Sequence, residues 1–332
     1  MISKIILARP RGFCAGVDRA IDVVEVALDI FGPPVYVKHA IVHNMHVVSD
    51  LEKKGARFVE DLDEVPVNSV LIFSAHGTDP KLKEEAKARG HKVIDATCPL
   101  VTKVHLEARR YANEGYFIVY VGHRGHPEPA GVFGEIPEGT YTLIEHADEV
   151  SKIKVPKGKK LVHLNQTTLS IPDVSETIKA LRKRFPDILT PPSSDICYAT
   201  TNRQAAARTL AKKCDVVLVI GSQTSSNSQR LKDVSKEEGA RAYLVDDETG
   251  VDIKWLDGAK TLGITSGASA PEYLIDNMVD FFKKQYPNAP IENMNIMKEE
   301  IKFPLPDDLV ALARQSKKGV EWVEKHRVAS QR

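Results

Sequence analysis

Residues 5–14 read IILARPRGFC, an apolar run that breaks into Arg, Pro and Gly and ends on a cysteine. Beyond it Val17, Ala20, Ile21, Val24 and Leu28 recur at helical spacing, so Cys14 stands where a strand hands over to an amphipathic helix. The same arrangement recurs twice. KVIDATC (92–98) ends on Cys98, followed by Pro99 at a first-helical position and by Leu100, Val101, Val104 and Ala108. SSDIC (193–197) ends on Cys197, and ATTNRQAAARTLA supplies the helix.

Downstream the parallel continues. Each helix leads to a strand with a polar end: VYVKHAIVHN at His43, YFIVYVGHRGHPE at His126, DVVLVIGSQTSSNS at Ser225. These ends lie 29, 28 and 28 residues after the respective cysteines. Another helix and strand follow, ending in VLIFSAHG at His76, LVHLNQTTLS at Thr167 and Thr168, and TLGITSGAS at Ser269, with offsets of 62, 69 and 72. Architecture repeats while side-chain identity does not. Strands alternating with amphipathic helices predict an α/β protein with parallel sheets. Three pseudo-equivalent modules are expected in a trefoil, over 14–97, 98–196 and 197–285 plus the first strand (1–13), with 286–332 as a C-terminal arm and tail. The strands before Cys98 and Cys197 should close the first two units, and the strand at 3–9 should close the third. Ligands of parallel sheets lie beyond the carboxyl ends of strands, where all these polar residues fall.

The chain has 332 residues, 42% hydrophobic and 27% charged, which excludes a disordered class. Lys plus Arg (46) and Asp plus Glu (45) nearly cancel, so neither nucleic acid nor a membrane surface is an expected partner. Met1 leads within a few residues into a strand, with no room for a signal or transit peptide, and the cytoplasm is the expected compartment. Four cysteines without a C-x-x-C pair make no disulfide framework.

A cysteine at a helix N-terminus feels the positive end of the dipole and unpaired N–H groups, which favour the thiolate. Three such thiolates could hold one metal centre with a position left open, either an iron–sulfur cluster or zinc. Cys214 has no counterpart and is read as buried structure. His43, His76 and His126 with Ser225, Ser226, Asn227 and Ser269 read as an anion cradle suited to a diphosphate. At an effective dielectric near 20, one opposite charge at 4 Å contributes about 4 kcal/mol, so a few histidines suffice. Glu128 is the candidate proton donor, with Thr167 or Thr168 in its relay. His91, His146 and His326 are expected to face solvent, and His123 carries no assignment.

At ARPRGFCAGVDRAI, VHN, SAHG, DATCP, GHRGHPE, NQTTLS, SSDICYATTNRQ, GSQTSSNS and TSGASAPEYL the chain resembles the LytB/IspH-type family of 4-hydroxy-3-methylbut-2-enyl diphosphate reductases, over about residues 4–285. The resemblance implies a [4Fe–4S] cluster on Cys14, Cys98 and Cys197 with one iron free of cysteine. It implies diphosphate contacts from His43, His76, His126, Thr168, Ser225, Ser226, Asn227 and Ser269, and protonation through Glu128 and Thr167. An allylic diphosphate substrate and a ferredoxin or flavodoxin electron donor follow from the same likeness. Another three-cysteine cluster enzyme of the quinolinate synthase type, a non-catalytic redox sensor and a zinc hydrolase are the competing readings. Lys317, Lys318, Lys325 and Arg327, in the tail, are read as a solvated face.

Overall fold

The computed structural model describes residues 1–315 and 317–322; His326, Lys325 and Arg327 lie outside the described residues. In chain order the strands are β1 (Lys4–Arg9), β2 (Val35–Lys38), β3 (Ala56–Val59), β4 (Val70–Phe73), β5 (Lys92–Asp95), β6 (Phe117–Val121), β7 (Tyr141–Ile144), β8 (Leu161–Asn165), β9 (Val216–Ile220), β10 (Arg241–Val245), β11 (Thr261–Ser266) and β12 (Ile291–Asn295). The helices are α1 (Ala15–Phe31), α2 (Met45–Lys54), α3 (Pro80–Ala88), α4 (Pro99–Asn113), α5 (Pro127–Gly134), α6 (Ile171–Arg184), α7 (Tyr198–Ala211), α8 (Ser226–Glu237), α9 (Glu272–Gln285) and α10 (Asp307–Ala313).

The strands form three parallel sheets, ordered β3-β2-β4-β5, β7-β6-β8 and β10-β9-β11-β1-β12. Parallel sheets need apolar cover on both faces, and each sheet has it. The first sheet lies between a cluster on α1 and α2 and another containing Leu71, Phe73 and Ala86. Corresponding pairs flank the second sheet and the third. The expected trefoil of α/β lobes is therefore the observed architecture.

The three sheets share one order: an outer strand, a central strand, a third strand, then a closing strand from the segment leading to a cysteine. β5 closes the first sheet and β1 the third, where it lies between β11 and β12. In the second sheet the strand expected before Cys197 is reduced to one bridge between Val162 and Leu189. Pro191 and Pro192 follow at once, have no N–H to donate, and end the ladder. The Asp195 carboxylate takes over by accepting the Asn165 amide at 2.9 Å.

His91 is a correction: it is buried rather than solvent-facing. Helix α3 ends in a Schellman turn, with Gly90 at φ +82°, Gly90 N–H donating to Lys87 O and His91 N–H to Ala86 O. That turn folds the residue after glycine back onto the helix. His146 and Lys317 and Lys318 are exposed, and Cys214 is buried in the apolar cluster beneath α7.

Beyond residue 285 the chain contributes more than its composition suggests. β12 pairs with β1, residues 296–306 cross to the first lobe, and α10 inserts Leu309 and Ala313 into the core beside α1 and β5. Leu309 is fully buried, so Leu309→Ala should cost about 2–5 kcal/mol, read as a lower urea midpoint at unchanged slope.

Candidate functional site

Cys14, Cys98 and Cys197 are the N-cap residues of α1, α4 and α7. Each is fixed by the same backbone hydrogen bond: its amide donates to the carbonyl two residues beyond the preceding lobe's third strand. Cys98 N reaches Ala75 O at 3.0 Å, Cys197 N reaches Thr167 O at 3.0 Å, and Cys14 N reaches Ala268 O at 3.3 Å. The residues after those carbonyls, His76, Thr168 and Ser269, thus occupy equivalent places. The second helix of each lobe is capped by Asn44, His126 and Ser225. In the first lobe the cap falls one residue after His43.

One cavity of about 120 Å³ is lined by the three cysteines together with His43, His76, His126, Glu128, Thr167, Thr168, Ser225, Ser226, Asn227 and Ser269. Every residue singled out for the site from the sequence lines it. His123 does not; it stands 3.6 Å from Glu145 in a shallower hollow outside.

Burial pushes the Cys98 thiol up to about 12 and the Cys197 thiol to about 11, and the neighbouring thiols push in the same direction. Amides of Leu100 and Val101 oppose this at Cys98, as Thr200 does at Cys197, but more weakly. At both positions desolvation opposes the helix end, whose N–H groups favour the thiolate.

The three histidine rings cluster, with centroids 4.2 Å apart for His43–His76, 5.4 Å for His43–His126 and 5.8 Å for His76–His126. Burial and then their neighbours lower all three, His126 to about 3 and His76 well below its ordinary range. Without an anion they are neutral at pH 7. His126 Nδ1 accepts the Glu128 amide at 3.2 Å, which leaves its proton on Nε2. His43 Nε2 and Asn227 Nδ2 are buried without a partner, whereas Asn227 Oδ1 accepts Ala268 N–H at 2.9 Å. Two orphaned groups on one cavity wall are unsatisfied unless a ligand supplies acceptors.

Glu128 is 2% exposed. Its Oε1 accepts Thr167 N–H at 2.8 Å and Tyr120 O–H at 3.2 Å, and its Oε2 accepts the Thr167 hydroxyl at 2.9 Å. Burial outweighs these donors and holds the carboxyl at about 7, so it is poised to give or take a proton near neutrality. Of the two threonines, Thr167 joins the carboxyl; the Thr168 hydroxyl instead donates to Ser226 Oγ at 3.1 Å, across lobes.

Several contributors were not evident from sequence. Tyr120 sits inside the apolar run FIVYV and reads as core. Arg203 lies on the buried face of α7, fully enclosed, where a guanidinium amid alanines was the available signal. Gly16 matters for what it lacks: a Cβ there would stand 2.6 Å from Cys98 Sγ and 3.9 Å from Cys14 Sγ.

Three α/β lobes in pseudo-threefold array, each delivering one helix-capping cysteine and part of the polar lining of one central cavity, define the class of this protein. Within that class the chain belongs to the LytB protein family, whose model matches residues 5–283. It is 51% identical over 306 residues to the 4-hydroxy-3-methylbut-2-enyl diphosphate reductase of Dechloromonas aromatica (strain RCB), covering 92% of this chain and 99% of that one. It is 49% identical over 307 residues to the enzyme of the same name from Azoarcus sp. (strain BH72), covering 92% and 98%. The solved structure of the E-1-hydroxy-2-methyl-but-2-enyl-4-diphosphate reductase from Plasmodium falciparum superposes with a TM-score of 0.91 at 40% identity, over 95% of this chain and 99% of that one.

The family implies an iron–sulfur group, and the donor set fits one. Cys14 and Cys98 both present their sulfurs near Gly16, where any side chain would intrude.

Tyr120→Phe removes one donor to the Glu128 carboxylate while keeping the ring. The Glu128 pKa should then rise above about 7, read from the pH dependence of its carboxyl stretch in infrared difference spectra.

Proposed function

We infer that this chain is an iron–sulfur oxidoreductase converting 4-hydroxy-3-methylbut-2-enyl diphosphate to isopentenyl and dimethylallyl diphosphate, the last step of the methylerythritol phosphate route to isoprenoids. The reaction removes the allylic hydroxyl as water, consuming two electrons and two protons. The observation that carries this reading is the pair of orphaned groups, His43 Nε2 and Asn227 Nδ2, on the cavity that also receives three cysteines and a glutamate whose carboxyl burial raises to about 7.

Cys14, Cys98 and Cys197 would hold a [4Fe–4S] cluster, leaving one iron without cysteine. When bound, that group supplies the electrons and a Lewis-acidic site for the departing oxygen. The remaining work belongs to the chain. His43, His76, His126, Ser225, Ser226, Asn227, Ser269 and Thr168 grip the diphosphate, and the grip fixes where the short carbon chain folds. Binding remote from the reacting bond thus sets its orientation. Glu128 delivers a proton towards the hydroxyl, with the Thr167 hydroxyl bonded to Glu128 Oε2 and completing the relay. The buried walls exclude bulk water from the allylic fragment before its final protonation.

The three-module division at 14–97, 98–196 and 197–285 with the first strand is the organisation we assign to this site, one cysteine per module. An electron donor is required; a ferredoxin or flavodoxin is the class proposed, in the cytoplasm. Among the described residues no helix is long and apolar enough to cross a membrane.

Anaerobic enzyme with a reduced viologen dye should form both five-carbon diphosphates; a cluster-loaded sample without turnover would refute the assignment. Glu128→Gln should retain the absorbance near 400 nm and diphosphate affinity while losing turnover by roughly 10²–10⁴-fold; full activity would remove Glu128 from the proton route.

The histidine cluster also makes a proton-linkage test. An anion raises pKa values that are depressed in the free protein, so diphosphate binding takes up protons, and affinity rises as pH falls through the bound-state values. Calorimetry of inorganic diphosphate in two buffers of different ionisation heat should show net uptake, smaller in His126→Asn.

A further inference from the structure

Two fully or nearly buried arginines outside the cavity bind the chain segments that carry the cysteines. Arg203, 0% exposed, donates to Gly12 O at 2.8 Å and Phe13 O at 3.2 Å, just before Cys14, and to Ala199 O at 3.3 Å, just after Cys197. Arg19, on α1, donates to Ala96 O at 3.3 Å and Thr97 O at 3.0 Å, just before Cys98. Each therefore bridges the loops of two different cysteines.

Both arginines are held from behind by one stretch of chain. Glu299 accepts Arg203 at 3.0 and 3.1 Å and Asn202 at 2.9 Å. Pro304 O accepts Arg19 Nε at 2.7 Å. Asp308 Oδ2 accepts Asp95 N–H at 2.7 Å, three residues before Cys98. The stretch is anchored at one end by β12 in the third sheet and at the other by α10 in the first-lobe core. Its course between those anchors has no regular structure, so its position depends on these side-chain contacts.

We propose that residues 296–308 form a strap that, through Glu299–Arg203 and Pro304–Arg19, locks the Cys14, Cys98 and Cys197 segments at fixed separation and thereby retains the metal centre. This rests on the reading of the three cysteines as its ligands. Arg203 and Arg19 are positioning residues: they touch the ligand loops and not the cavity. A buried guanidinium deprived of its carboxylate keeps carbonyl acceptors but loses the charge that neutralises it, so Glu299 is the sensitive link.

The test uses anaerobically purified holoenzyme and a ferrous chelator, following iron release and the decay of absorbance near 400 nm well below the melting temperature. Glu299→Ala should release iron on the order of tenfold faster than the parent, each compared at the same interval below its own melting temperature. Glu299→Gln, which keeps an acceptor for Arg203, should fall between. Glu300→Ala, whose carboxylate is exposed and pairs with Lys298, should match the parent. Asp308→Ala, which removes the acceptor of the Asp95 amide, probes the other end and should also accelerate release, which covers the case of Glu299→Ala failing to fold. Parental release rates in Glu299→Ala and Asp308→Ala would overturn the strap alone. A parent protein that binds no iron or sulfide would overturn the ligand assignment, and the strap with it.

Discussion

Three backbone hydrogen bonds, one from each cysteine amide to the carbonyl two residues beyond the neighbouring lobe's third strand, carry the logic of this molecule. Each bond joins the end of one lobe to the start of the next, and the bond from Cys14 to Ala268 closes the ring. An α/β sheet alone places residues at its carboxyl edge; it does not make three edges face one another. Because the bonded amide belongs to the cysteine itself, the contact that closes the ring also sets the thiol's position. The residue following each accepting carbonyl, whether His76, Thr168 or Ser269, is delivered to the cavity by the same geometry.

Electrostatics at the centre run against the helix ends. A helix N-terminus attracts anions through its unpaired N–H groups, yet around Cys98 and Cys197 desolvation outweighs them and pushes both thiols up. The histidines follow the same pattern: burial lowers His76 and His126 below the ordinary imidazole range.

Much of this was legible in the sequence because the signal was repetition. A single cysteine after a strand says little; three at the same handover, followed by polar strand ends 28 or 29 residues on, constrain the topology. What periodicity could not convey was contact across lobes. Tyr120 looks like any aromatic in an apolar strand until Glu128 is found against its hydroxyl. Arg203 reveals its role only once Gly12, Phe13 and Glu299 surround it. The missing strand before Cys197 and the burial of His91 were local matters, set by two prolines and a glycine-terminated helix. β12 lacked a readable pattern because its side chains, IENMN, alternate weakly at the sheet's edge.

The placement of β1 between β11 and β12 has a consequence for synthesis on the ribosome. Cys14 is made long before its partners: the carbonyl that fixes its amide belongs to Ala268, and the strands flanking β1 are completed only at Ser266 and Asn295. At about 5–20 residues per second, the amino-terminal segment waits on the order of tens of seconds without partners in its sheet. Of the three thiols the first to be made is thus the last to be seated, and the cavity they line cannot close until Ala268 has been made.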